Sequence, residues 1–162
     1  MGILDLQICA TLENLTRLHL PPSDNWHFSI KCTHCNEPHP NVVYFNLQEL
    51  REVPDSKAEA HYYAKCSLCK REQTILFIAG SQKTYENSGS WQTIARFECR
   101  GVELVDFKAG NGWLAFGTAS EDTEFGEIDL SEGDWAGYDE AGDASVGVYE
   151  FKSQVIRGTG KK

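Results

Sequence analysis

The sequence predicts a mainly β protein made of two pseudo-symmetric antiparallel halves, each resembling a barrel or a sandwich. Apolar residues alternate with period two in many short segments, as expected of strands with one buried and one solvated face. No long helical period competes with that alternation. The 14 glycines are spread between the short segments, which suits the turns of an antiparallel barrel or sandwich better than a helical protein.

Taken in order, Leu4, Leu6, Ile8 and Ala10 form the first stripe. Trp26, Phe28, Ile30 and Cys32 form a second, and Val43, Phe45 and Leu47 a third. Segments 61–65 and 74–79 form a further pair, and more strands are expected around 91–99, 102–107, 125–130 and 146–151. A faint repeat joins the two parts of the chain. Cys9, Leu12, Glu13 and Leu15 match Cys99, Val102, Glu103 and Val105 at a constant offset of 90 positions. Trp26 and Trp113 follow, and then Phe45 to Glu49 resembles Ile128 to Glu132. The expected organisation is a first half over residues 1–85, an acidic second half over 86–157 and a flexible tail over 158–162.

At 162 residues and 41% hydrophobic content, the chain is long enough to bury a substantial core. Its longest apolar run, Ile75 to Ala79, falls far short of the roughly 20 residues that cross a bilayer. The first residues show neither a secretory nor a myristoylation pattern, so the expected location is the cytoplasm and no membrane partner is expected.

Four of the six cysteines fall in two C-x-x-C pairs, Cys32 with Cys35 and Cys66 with Cys69, each expected at a hairpin tip. Chance would place about 0.2 such pairs in a chain of this composition, so a metal site is the better reading than a disulfide framework. Four soft sulfur donors suit tetrahedral Zn²⁺, one per chain, with Zn–S distances of about 2.3 Å. Such a shell is closed, and the ion has no open position at which to activate water. Cu(I) also suits thiolates. A redox dithiol uses a single C-x-x-C where a strand meets a helix, and two matched pairs argue against it.

Four thiolates around Zn²⁺ carry a net charge of −2, for which Lys31, Lys65, Lys70 and Arg71 are the candidate neutralising neighbours. His34, His39 and His61 lie near the pairs but are not needed as ligands, and Cys9 and Cys99 read as small core residues.

The chain resembles the eukaryotic CXXC-motif-containing zinc-binding proteins over nearly its whole length. Besides the cysteine pairs, the resemblance is carried by Ala10-Thr11-Leu12-Glu13-Asn14, Phe97-Glu98-Cys99-Arg100-Gly101 and Val105-Asp106-Phe107. It continues through Asp134-Trp135, Tyr138-Asp139-Glu140 and Ser145-Val146-Gly147-Val148-Tyr149-Glu150. It implies a monomeric, mostly β protein of two pseudo-symmetric halves, with one zinc held by Cys32, Cys35, Cys66 and Cys69. It implies no reaction.

Between residues 109 and 151 there are eleven acids and no Lys or Arg, a formal −11 against −9 for the whole chain, which leaves the rest at +2. Such a field repels phosphate backbones and favours a basic protein partner, so nucleic acid is not the expected ligand. Trp135, Tyr138, Asp139 and Glu140 form a candidate contact patch. No nucleophile–base motif or tuned carboxylate pair is readable, so the expected class is a zinc-stabilised interaction module. A metal-handling relay is the alternative, and a nucleic-acid-binding zinc ribbon is a lesser one.

Overall fold

The computed structural model describes residues 2–120 and 123–158. Glu121 and Asp122 of the acidic stretch, and residues 159–162 of the expected tail, lie outside the described residues. The described residues form strands, turns and loops with no helix, so none is long and apolar enough to cross a membrane.

The first half supplies β1 (Gly2–Glu13), β2 (Leu15–His19), β3 (Trp26–Cys32) and β4 (Val43–Phe45), then β5 (Arg51–Glu52), β6 (Glu59–Ala60), β7 (Tyr62–Lys65) and β8 (Glu72–Phe77). The second half supplies β9 (Gln92–Arg100), β10 (Val102–Lys108), β11 (Trp113–Gly117), β12 (Glu124–Ile128), β13 (Trp135–Asp139) and β14 (Ala144–Arg157). Six strands form one curled sheet in the order β13-β14-β1-β9-β8-β7. Two three-stranded sheets, β10-β3-β4 and β12-β11-β2, complete the core, while β5 and β6 pair with each other.

The strand order is itself symmetric. Exchanging β1 with β9, β14 with β8 and β13 with β7 turns the large sheet into its own reverse. The same exchange, β10 for β2, β3 for β11 and β4 for β12, turns one small sheet into the other. Strands from both sides of residue 85 pair throughout: β1 lies between β14 and β9, and β3 pairs with β10. Tyr85 itself is fully buried, and its main chain exchanges hydrogen bonds with Leu18 at 2.7 and 3.0 Å.

The internal repeat is present, but its register differs from the one read through the cysteines. The left-handed residues that turn β1 into β2 and β9 into β10 are Asn14 (φ 53°) and Gly101 (φ 73°). They are separated by the same interval as Trp26 and Trp113, three residues shorter than the interval from Cys9 to Cys99. Cys99 accordingly points into the core, whereas Cys9 is half-buried on the opposite face of β1 from Ile8 and Ala10. The later match is in register, because Phe45 and Ile128 each end their strand. An Asx turn follows both: Asn46 Oδ1 accepts the Gln48 N–H at 2.9 Å, and Asp129 Oδ1 accepts the Ser131 N–H at 3.0 Å.

Phe97, on the central strand β9, stands in the middle of the first half's core. Its ring lies 5.5 Å from Phe28, 5.9 Å from Phe45, 5.9 Å from Phe77 and 6.5 Å from Trp26. One half is thus filled by a side chain from the other. Burying a ring of this size contributes about 1.5–3 kcal/mol, before the edge-to-face contacts are counted.

Candidate metal centre

The two C-x-x-C segments are built alike. Cys32 ends β3 and Cys66 follows β7, so each first cysteine inherits the position of a strand. The chain then folds back within five residues: the Cys32 N–H donates to Glu37 O at 3.0 Å, and the Cys66 N–H to Arg71 O at 2.9 Å. In each turn the residue after the second cysteine is left-handed, Asn36 with φ 61° and Lys70 with φ 66°. Asn tolerates that region well, and Lys70 is held there by its N–H bond to Cys66 O at 2.9 Å.

The four sulfurs meet. Cys32 Sγ lies 3.6 Å from Cys69 Sγ, Cys35 Sγ lies 3.6 Å from Cys66 Sγ, and all four fall within 4.8 Å of one another. A tetrahedron of thiolates at about 2.3 Å from its centre has edges of about 3.8 Å, so the donor set fits zinc. The pairs are far wider than a disulfide of about 2.05 Å, and all six cysteines are free. Cys32 and Cys66 are buried, whereas Cys35 and Cys69 are half-buried. When bound, the ion would hold the two turns together as a Lewis acid saturated by sulfur, without an open position for a reactant.

Main-chain N–H groups aim at the sulfurs. The Cys35 N–H, helped by the His34 N–H at 3.4 Å, outweighs burial and pulls the Cys32 thiol down to about 6. At Cys66 the N–H groups of Cys69 and Leu68 lower the thiol in the same way. The Glu37 N–H favours a thiolate at Cys35, but burial and the neighbouring sulfurs together push that thiol up to about 12. Such a split is expected of like charges crowded at one point, and a dication there would favour deprotonation of all four.

The basic neighbours read from the sequence are placed differently from one another. Lys31 pairs with Glu103 across β3 and β10 at 3.3 Å. Lys70 Nζ donates to Ser67 O at 2.9 Å, bracing its own turn. Exposed Lys65 and Arg71 line an open polar cleft of about 600 Å³ with His34, Asp55, Ser56 and Glu72. The N–H donors found at the sulfurs are therefore backbone groups, because ammonium groups on long stems gain more from water and carboxylates. His61, not His34, has the buried role. Its Nδ1 accepts the Phe77 N–H at 2.9 Å and its Nε2–H donates to Leu47 O at 3.0 Å, making it a satisfied core histidine.

Over residues 5–156 the chain matches the family described as CXXC motif containing zinc binding protein, eukaryotic. The chain belongs to that family. A UPF0587 protein of Nematostella vectensis is 40% identical over 157 residues, covering 95% of this chain and 98% of its own. The CXXC motif containing zinc binding protein of Homo sapiens is 38% identical over 160 residues, covering 97% and 99%. The solved structure of C1orf123 superposes with a TM-score of 0.90 at 36% identity, over 97% of this chain and all 100% of that one. The family is one of zinc-binding proteins, and the four cysteines form a cluster whose geometry could hold such an ion.

The candidate contact patch is divided by strand alternation. Tyr138 is 51% exposed, with its hydroxyl on Asp143, and Glu140 is exposed. Trp135 is half-buried, its ring edge-on to Phe125 at 6.4 Å. Asp139, one residue along from Tyr138, faces inward and is only 1% exposed, so it leaves the contact surface. Cys99 is buried in the core, where burial first and then Glu98 and Glu103 push its thiol up to about 12.

Proposed function

We propose that this chain is a non-enzymatic, monomeric cytoplasmic protein. In this reading one zinc ion per chain stabilises its first half, and the acidic second half receives a basic protein partner. The observation that carries the reading is the acidic surface. Every described acid of the 109–151 segment except Asp139 is exposed, no cation interrupts them, and Tyr138 stands among them with half its surface in solvent. Exposed Tyr beside single-sign charge suits a protein contact, and the same field disfavours nucleic acid.

The test is a binding titration of fluorescent Lys/Arg-rich peptides against zinc-loaded protein at low and physiological salt. Saturable binding that weakens with salt and disappears in a Glu124→Gln, Glu127→Gln, Glu140→Gln variant supports the reading. Binding unchanged in that variant, or no binding at low salt, overturns it.

A second reading, metal handling with zinc or copper as cargo, is favoured by Cys35 and Cys69, which are only half-buried. Exchange separates the two. A structural ion resists competition by a mild chelator, whereas a cargo ion leaves quickly.

A further inference from the structure

We propose that the second half carries a metal-free counterpart of the cysteine site, in which the Asp139 carboxylate and the Ser120 hydroxyl fasten the two loops that the four cysteines fasten in the first. The inference is independent of the interaction reading. It begins with the pseudo-symmetry, which assigns every cysteine a counterpart.

The Cys32 position corresponds to Gly117. In the first half the Thr33 N–H donates to Gly101 O at 3.2 Å, and the Cys32 N–H closes the turn on Glu37 O. In the second the Thr118 N–H donates to Asn14 O at 2.9 Å, and the Gly117 N–H closes its loop on Thr123 O at 2.9 Å. Asn14 and Gly101 are the equivalent turn residues, so the two loops match, the second being one residue longer. Cys35, three residues along, then corresponds to Ser120.

The Cys66 position corresponds to Asp139. Cys66 follows β7 and Asp139 ends β13, each five residues before its partner across the hairpin, Arg71 or Ala144. Four residues after each comes a left-handed residue, Lys70 or Asp143 (φ 51°). Three residues after each comes a main-chain donor: the Cys69 N–H serves the Cys66 sulfur, and the Gly142 N–H donates to Asp139 Oδ1 at 3.1 Å.

The four positions also converge in space. A Cβ built on Gly117 would lie 2.7 Å from Asp139 Oδ2 and 3.4 Å from Ser120 Oγ, and one on Gly142 would lie 2.7 Å from Ala119 Cβ, 2.8 Å from the Ala119 backbone carbon and 3.0 Å from Asp139 Oδ2, so a side chain there needs the Ala119 segment to shift. Where the first half has four thiolates, the second has two glycines without side chains. The space they leave lets a buried carboxylate cross to the opposite loop and accept the Ser120 hydroxyl, which in turn contacts Thr123 Oγ1 at 2.7 Å. Burial of Asp139 is thereby accounted for by its donors: a hydroxyl and a backbone N–H take the place of an ion. The two ends of one fold are closed by different chemistry, one open to chelators and thiol oxidants and the other insensitive to both.

The experiment has two arms on the full chain. In the first, Asp139→Asn and Ser120→Ala are compared with wild type by amide exchange in zinc-loaded protein. Loss of the clasp speeds exchange of the Gly142 and Thr118 amides about tenfold or more while the amides of the cysteine turns keep their rates. Unchanged exchange at Gly142 and Thr118 overturns the proposal. In the second, Gly117→Cys, Ser120→Cys, Asp139→Cys and Gly142→Cys are combined, and native mass spectrometry is expected to count one more zinc per chain than wild type. A folded fourfold variant whose zinc count does not rise overturns the equivalence; should that variant fail to fold, the exchange arm decides alone.

Discussion

Asp5 and Arg96 face each other across the central pair of strands, β1 and β9, with Arg96 Nε donating to Asp5 Oδ1 at 2.8 Å. Their side chains keep only 9% and 21% of their exposure, and the aspartate raises the guanidinium further above its ordinary value. Removing Asp5 takes a carboxylate partner from a largely buried guanidinium. Asp5→Ala is therefore expected to cost about 2–3 kcal/mol in urea unfolding, below the 3–5 of a fully buried pair because Arg96 retains solvent. The double variant Asp5→Leu, Arg96→Leu should recover much of that loss. A double variant as unstable as the sum of the singles would rule out coupling.

Phe97 supplies a sharper test of how the halves interlock. Phe97→Ala removes a fully buried ring from between Trp26, Phe28, Phe45 and Phe77, and is expected to cost about 3–5 kcal/mol. The loss should appear as one cooperative transition of the whole chain. Two separated transitions in calorimetry, with only the second half's displaced, would refute a core shared across residue 85.

The strands with large alternating side chains were legible, as were the four cysteines, because period two and C-x-x-C spacing are local signals. β2, β11 and β13 left weaker traces. In β2 the left-handed Arg17 (φ 53°) breaks the alternation, so Leu15 and Leu18 are spaced by three. In β11 the buried alternate positions after Trp113 are Ala115 and Gly117, which barely mark an apolar stripe. In β13 the inward residue is Asp139, a carboxylate that looks like a surface group until its partners across the fold are known. Its place depends on Ser120 and Gly142, which no local period connects. Which groups donate to the sulfurs was equally hidden from a local reading, because turn geometry, not flanking charge, aims the backbone N–H groups at them.

The cysteines divide cleanly by expected effect. Cys66→Ser should abolish zinc retention and lower the melting temperature by about 6–12 °C, corresponding to a loss of roughly 3 kcal/mol or more. Cys99→Ser buries a hydroxyl in the core and should cost about 1–3 kcal/mol while leaving zinc content unchanged. Metal analysis with parallel melts separates the two. Equal zinc loss in both variants would mean that core packing, rather than ligation, holds the ion.

His61 gives the fold a pH dependence of defined sign. Burial lowers its imidazole below the ordinary 6.5, against a smaller opposing contribution from the Leu47 carbonyl. Its ring is held neutral, accepting at Nδ1 and donating at Nε2, so a proton taken at Nδ1 would break the bond from the Phe77 N–H. Above about pH 6.5 both the folded and the unfolded chain carry a neutral imidazole there, and the full stability is present. As pH falls below that value the unfolded chain takes up a proton that the folded chain refuses, and stability declines until the folded pKa is passed. The limiting slope is about 1.4 kcal/mol per pH unit for one proton. Zinc thiolates also protonate in acid, so the informative quantity is the difference between wild type and His61→Gln, both measured with excess zinc. Glutamine can offer an amide oxygen to Phe77 and an N–H to Leu47, but it does not titrate. The wild type should therefore lose its advantage over the variant between pH 7.5 and 5.5. Parallel stability curves across that range would show that the buried ring carries no proton linkage.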